Sequence, residues 1–147
     1  MLNLLRLGRI TADSDLENKA AKIGKAFSDQ LKHSPAAFTM SMSALDFGLG
    51  PSYEVVIAGK SDAKDTEEML NALTRQFIPN KVVLLRPTEE ESPAITRIAE
   101  FTKAQLTING KATAYVCKNY ICDLPTNNIN KMLELLGVKK LEKAEKS

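Results

Sequence analysis

The stretch Tyr53-Glu54-Val55-Val56-Ile57-Ala58-Gly59 decides the fold of this chain. It is apolar and β-branched at its centre, and Gly50-Pro51 before it and Gly59 at its end are residues that interrupt regular structure. A short run with so little alternation between apolar and polar residues is typical of a strand covered on both faces. We therefore predict that this strand lies inside a sheet, with helices packed against it.

The sequence on either side of this strand supplies the helices. Before it, apolar residues recur at spacings of three and four within residues 14–31 and 35–45, which predicts two amphipathic helices. After it, two further apolar runs at 82–85 and 115–117 alternate with helical patterns. The order predicts an α/β fold, in which N-terminal helices precede a small three-layer β-α-β-α-β-α unit with a mostly parallel sheet.

Three parts are predicted along the chain. Residues 1–50 form a helical segment, residues 51–138 form the small α/β domain, and residues 139–147 form a charged tail that frays. The predicted helices after the first share a capping residue at or near their start: Ser14, Ser34, Ser61, Ser92 and Asn128.

Composition narrows the function classes. The chain has 147 residues, of which 44% are hydrophobic and 26% charged, and its formal net charge is +2. This charge does not favour a nucleic-acid or anionic-membrane partner, and no apolar run approaches the roughly 20 residues of a membrane-spanning helix. Two cysteines without a secretory signal pattern favour a reducing compartment, so we expect a cytoplasmic protein.

Gly59-Lys60-Ser61 follows the central strand and precedes a predicted helix, as a phosphate-binding loop does. The full signature needs a glycine five residues before Gly59, and that position is Glu54. The free amides of such a turn still favour an anion. We therefore keep Gly59, Lys60 and Ser61 as a candidate anion-binding turn beside the interpretation as a plain strand-to-helix turn.

Cys117 and Cys122 are the candidate functional thiols. Redox motifs place two cysteines with two residues between them at a helix start, whereas these are five positions apart and Cys117 falls on a predicted strand. A metal site needs more ligands, and the lone His33 is distant in sequence. We expect reduced, buried or half-buried thiols, with a disulfide or a contact to a partner domain as the alternatives.

No residue is assigned a catalytic role, and we expect no metal and no cofactor. His33 ends a predicted helix, where a basic side chain is favourable, and it has no nucleophile beside it in sequence. Glu89-Glu90-Glu91 precedes a helix start, where negative charge is also favourable, and three carboxylates in a row do not flank a cleft.

Two segments resemble the C-terminal part of the spermatogenesis-associated thioredoxin-domain proteins. They are PSYEVVIAG at residues 51–59 and GKATAYVCKNYICDLP at residues 110–125, and the second is the more specific. LLRL at residues 4–7 and SALD at residues 43–46 also fit the last helices of that family. The resemblance covers nearly the whole of this chain.

The resemblance implies a larger protein. Family members carry a thioredoxin-like domain and a helical barrel of the six-hairpin glycosidase type, and residues 1–50 would correspond to the closing helices of that barrel. It implies no reaction, because the activity of the family is poorly defined. We therefore expect a non-catalytic C-terminal structural and interaction module, whose partners are the upstream thioredoxin-like and barrel portions or a second copy bound through the N-terminal helices. The alternative is a small domain that binds a phosphate or a sugar, or that carries out thiol redox chemistry.

Overall fold

A computed structural model describes residues 1–138 of the chain, and the predicted charged tail at 139–147 lies outside the described residues. The α-helices are α1 Leu2–Thr11, α2 Ser14–Ala26, α3 Ser28–His33, α4 Thr39–Leu49, α5 Lys64–Thr74, α6 Ile95–Ile98 and α7 Ile129–Leu135. Two short 3₁₀ turns cover Pro35–Phe38 and Glu100–Ala104. The strands are β1 Tyr53–Gly59, β2 Lys81–Pro87, β3 Thr113–Lys118 and β4 Ile121–Cys122.

The strands form one sheet in the order β2-β1-β3-β4. The predicted central strand is β1, with the predicted bounds and a strand on each side, and every residue after Tyr53 in it is buried. A strand in this position is covered on both faces, which explains its largely apolar composition. The α/β class is therefore confirmed.

The sheet is mixed in direction. Strand β2 runs parallel to β1, whereas β3 runs antiparallel to β1 and β4 antiparallel to β3. A parallel return needs a connection that crosses back over the sheet, usually as a helix. Between β2 and β3 the chain forms only the four-residue α6 and a 3₁₀ turn, and β3 begins opposite Ala58, at the edge where β2 ends. The third strand therefore runs in the direction opposite to the one predicted.

The two faces of β1 meet different layers. Val55 and Ile57 belong to the main apolar core, together with side chains from α5 and α7 such as Leu73 and Met132. Because side chains alternate along a strand, Glu54 lies on the opposite face, where its carboxylate contacts Arg9 of α1. The N-terminal helices thus meet the face that carries the one acidic residue of β1.

Helix starts match the sequence predictions unevenly. Asn128 caps α7 as predicted, since its side chain accepts a hydrogen bond of 3.1 Å from the Lys131 amide. At α2 the cap is Asp13, whose carboxylate accepts from the Asp15 amide, and not Ser14. Glu17, in the first turn of α2, contacts Arg9.

The other three predicted helices begin later than expected. The 3₁₀ turn Pro35–Phe38 separates Ser34 from α4, and α6 starts three residues after Ser92. Helix α5 starts at Lys64, with Ala63 rather than Ser61 at its N-cap position.

Candidate functional site

The two cysteines form a disulfide bond. Cys117 of β3 and Cys122 of β4 face each other directly in the antiparallel pair, with Asn119 and Tyr120 as the two-residue turn between the strands. The expectation of two reduced thiols is therefore wrong for this structure, which contains the disulfide that we left as an alternative. The reason is the tight hairpin: five positions of separation place the two residues opposite each other on neighbouring strands.

The turn of this hairpin is held by contacts from outside it. Asn119 and Tyr120 have φ angles of 50° and 67°, the left-handed conformation that two-residue hairpins require. Asn119 tolerates this conformation and exchanges hydrogen bonds with Ser52, donating from its amide and accepting at Oδ1 (3.0 and 3.1 Å). A tyrosine is unusual there, so its own contacts must fix the conformation.

Those contacts define the Arg9 cluster, which consists of Arg9, Glu17, Glu54 and Tyr120. Arg9 Nη1 donates to Glu54 Oε1 at 3.0 Å, and Arg9 Nε lies 2.8 Å from Glu17 Oε1. The Tyr120 amide donates to Glu54 Oε2 at 3.0 Å, and its hydroxyl donates to Glu17 Oε1 at 2.6 Å. The guanidinium carbon of Arg9 also lies 4.2 Å from the centre of the Tyr120 ring. The cluster joins α1, α2, β1 and the hairpin turn.

Burial dominates the electrostatics of the cluster. Glu54 is 4% exposed, and burial raises the pKa of its carboxyl, while the Tyr120 amide and Arg9 oppose that rise. Burial and the hydrogen bond to Glu17 raise the pKa of Tyr120. The arrangement suits a neutral phenol that donates to a carboxylate, with one guanidinium serving two acidic residues.

The disulfide lies next to this cluster in the sheet. Cys117 is the residue of β3 directly opposite Glu54 in the β1–β3 pair, so both side chains stand on the same face. The hairpin that the disulfide closes also carries Tyr120. The sheet therefore brings the two candidate thiols together with four residues that the sequence did not assign.

The candidate anion-binding turn is filled by a carboxylate of the chain itself. The Ser61 amide donates to Glu89 Oε1 at 3.1 Å, and hydrogen bonding by the hydroxyl and amide of Ser61 lowers the pKa of Glu89 to about 2. Glu89 follows β2, so the two strand ends meet at one edge of the sheet. The turn thus has the geometry to hold an anion, and in this structure Glu89 is the anion; binding of an external anion stays a prediction.

The remaining polar residues that the sequence singled out do not converge. His33 Nδ1 donates to the Asp29 carbonyl oxygen at 2.7 Å, within its own helix. The shallow pocket at His33 is lined by five residues, Asp29, Gln30, His33, Ser34 and Phe38, and contains neither the glutamate triplet nor a cysteine. Within residues 1–138, no three His, Cys, Asp or Glu side chains are grouped so that they could hold a metal ion.

The sequence did contain a signal for the Arg9 cluster. Glu54 is an acidic residue inside a strand predicted to be buried on both faces, and a buried carboxylate requires a partner. What the sequence does not give is the identity of that partner, because Arg9 is 45 positions away and Tyr120 is 66.

Comparison with known proteins identifies relatives of greater length. Over 134 residues, or 91% of its length, the chain is 31% identical to human spermatogenesis-associated protein 20, 30% to the rat protein of that name and 28% to the mouse protein. These residues make up 17% of each relative. No family model matches the chain, and no solved structure matches it. Among the described residues, no helix combines the length and apolar character needed to cross a membrane. The resemblance found in the sequence is thereby confirmed: over most of its length this chain is a homologue of one part of the spermatogenesis-associated protein 20 family, consistent with a C-terminal part.

Proposed function

We propose that this chain is a non-catalytic structural and interaction module that packs against other parts of a longer protein. The proposal rests on two observations together: the chain matches only a small part of its relatives, and part of its surface is apolar. The chain spans 17% of the relatives it matches, and its N-terminal helices expose large apolar side chains. Large apolar side chains left exposed in a small domain favour contact with a partner.

The exposed side chains belong to α2, its C-terminal end and α4. Phe27 is 51% exposed, Met40 67% and Leu49 84%, and Ile23 and Met42 are also exposed; we call these five the N-terminal apolar residues. An open groove of about 250 Å³ between α1, α2 and α4 lies beside Leu49 and is lined largely by apolar and small residues. These features favour the docking of a further helix or loop.

The proposed partner is the remainder of the longer protein, namely the thioredoxin-like and helical-barrel portions that the family resemblance implies. Residues 1–50 would then complete the barrel, and the N-terminal apolar residues would be covered by its helices. In the isolated chain the same residues would drive self-association. The proposal retains the cytoplasmic location expected from the sequence, a compartment in which disulfides meet thiol reductants.

The non-catalytic part of the proposal rests on how the candidate groups are occupied. Glu89 is bound by Ser61, His33 by its own helix backbone, and Glu17 and Glu54 by Arg9 and Tyr120. Groups held in this way stabilise the fold rather than face a cleft.

Substitution of the apolar residues tests the proposal directly. In the triple variant F27S/M40S/L49S we expect the purified chain to shift from self-associated species to monomer by light scattering, and to bind less of an apolar fluorescent dye. The matched control is F77S/I121S/L124S, which removes three apolar residues elsewhere that are even more exposed, at 93%, 77% and 89%. A monomeric wild type, or the same shift in the control, would count against docking through the N-terminal helices.

The second test uses a longer relative. We expect that deleting the matching 134 residues from the human protein lowers the Tm of what remains and that this part then binds the dye. An unchanged Tm would show that the module covers no surface of the remainder.

A further inference from the structure

We propose that the Cys117–Cys122 disulfide is a site of thiol–disulfide exchange, at which an external thiol forms a mixed disulfide with Cys122 and frees Cys117. The site is defined by the β3–β4 hairpin, in which the two residues lie directly opposite each other. The inference does not rest on the docking proposed above, because it concerns the opposite end of the chain and a covalent reaction.

The two cysteines differ in access. Cys117 is 6% exposed, because β3 lies between β1 and β4. Cys122 is exposed, as are its neighbours Ile121 and Asp123, because β4 is a two-residue strand at the edge of the sheet. An incoming thiolate therefore reaches the sulfur of Cys122 and not that of Cys117.

The exchange proceeds in two balanced steps. A thiolate attacks Sγ of Cys122, a new sulfur–sulfur bond forms, and the Cys117–Cys122 bond breaks with its electron pair on Sγ of Cys117. The proton lost by the attacking thiol passes to Cys117. A second thiol then attacks the external sulfur of the mixed disulfide, Cys122 leaves as a thiolate and takes up the proton of that thiol, and two external thiols are oxidised to a disulfide while both cysteines are reduced. The co-reactant is thus a dithiol, or two equivalents of a monothiol.

Exchange at this site alters the Arg9 cluster. The disulfide closes the hairpin whose turn holds Tyr120 in a left-handed conformation, and Tyr120 donates to both Glu54 and Glu17. Opening the bond increases the conformational freedom of the turn, so the entropic cost of ordering it has to be offset by those contacts and by the hydrogen bonds between Asn119 and Ser52. The reduced form therefore holds α1 and α2 less firmly against the sheet.

Two variants separate the reactivity of the two sulfurs. In C117S the remaining Cys122 should react with Ellman's reagent at least about tenfold faster than Cys117 does in C122S, since exposure governs access to the thiolate. Equal rates, or a faster Cys117, would overturn the assignment.

A measurement on the unmodified chain keeps the proposal testable if either variant fails to fold. The folded protein is incubated with reduced glutathione, free thiols are blocked with N-ethylmaleimide, and the peptides are mapped by mass spectrometry. We expect glutathione on Cys122 and the maleimide on Cys117. Glutathione on Cys117, or no reaction of the folded chain under conditions in which the urea-unfolded chain reacts, would refute the proposal.

Hydrogen exchange reports the structural consequence. After reduction with dithiothreitol and blocking of both thiols, amides of α1 Leu2–Thr11 should exchange at least about threefold faster, while those of α5 Lys64–Thr74, which packs on the other face, stay unchanged. Equal exchange of α1 in both forms would show that the disulfide does not act through the Arg9 cluster.

Discussion

Replacing Arg9 by methionine should destabilise the chain strongly, because it leaves a buried carboxylate without its cation. The side chains of Arg9 and Glu54 are 11% and 5% exposed, and Nη1 and Oε1 are 3.0 Å apart. Removing one partner of a buried pair costs about 3–5 kcal/mol, out of a total stability of about 5–15 kcal/mol for a domain. For a chain of this size the loss lowers the Tm by roughly 6–20 °C.

A double-mutant cycle measures the interaction between Arg9 and Glu54. Glu54→Gln removes the buried charge while keeping an oxygen that accepts a hydrogen bond, so it should cost less, about 1–3 kcal/mol. In R9M/E54Q the unpaired charge is absent, and the double variant should be more stable than R9M alone. Urea unfolding at pH 7 measures all four proteins, and additive losses within about 0.5 kcal/mol would refute an interaction between the two side chains.

The pH dependence of stability tests whether the Glu54 carboxyl causes the loss in R9M. Burial raises the pKa of Glu54 in the folded chain above 4.5, its ordinary value in the unfolded chain. At pH values between the unfolded pKa and the folded pKa, the folded state binds more protons than the unfolded state, so stability falls as the pH rises. Arg9 opposes that rise in pKa, so R9M widens the window. The deficit of R9M should be smallest near pH 4 and largest near pH 7. A deficit independent of pH would instead point to the lost packing of the arginine stem.

Three further perturbations follow from the same structure. Gly59→Ala should cost about 1–3 kcal/mol in urea unfolding, because its Cβ would collide with Thr66 Oγ1, whereas the control Gly48→Ala meets Leu5 Cδ1 at an ordinary 3.4 Å and should be tolerated. Glu89 should contribute stability that is fully present above its unfolded pKa of 4.5 and is lost as the pH falls towards about 2. The stability of Glu89→Gln should therefore fall less steeply than that of wild type during acid titration, and identical curves would contradict the Ser61 contact. Asn119→Ala should lower the Tm more than Asn119→Gly, since glycine adopts the left-handed conformation (φ 50°) more readily. Both variants lose the Oδ1 that accepts from the Ser52 amide and keep the backbone bond to the Ser52 carbonyl, so equal losses would exclude a conformational cost.

The sequence predicted those parts of the fold that depend on local pattern. The bounds of β1 followed from an apolar run between breakers, and the cap at Asn128 from a side chain that reaches its own helix. The direction of β3 did not follow, because it depends on the path of residues 88–112, which carry weak helical signals and form short turns. A helical pattern of the right order alone does not establish that the chain crosses back over the sheet.

In the candidate site, too, the sequence predicted local features and missed those that depend on distant residues. Cys117 and Cys122 were selected because they are the two cysteines of the chain, but their pairing depends on the hairpin turn at Asn119-Tyr120. Tyr120 is a residue type that does not signal a left-handed turn. The turn is stabilised by Glu17 and Glu54, which are more than 60 positions away. Contacts of that range carry no periodicity, so the pattern of the sequence does not reveal them.

The Arg9 cluster explains why one charged residue is kept in a strand that is otherwise apolar. A valine at position 54 would leave Arg9 Nη1 and the Tyr120 amide without the acceptor that each has in Glu54, although Arg9 would keep its contact with Glu17. Glu54 accepts from both, and so links α1 to the hairpin through β1. Since Cys117 stands opposite Glu54, we expect a change at the disulfide to reach the helical layer through Glu54 and through the contacts of Tyr120 with Arg9 and Glu17. Glu54, the charged residue of β1, therefore takes part in joining the helical layer to the sheet.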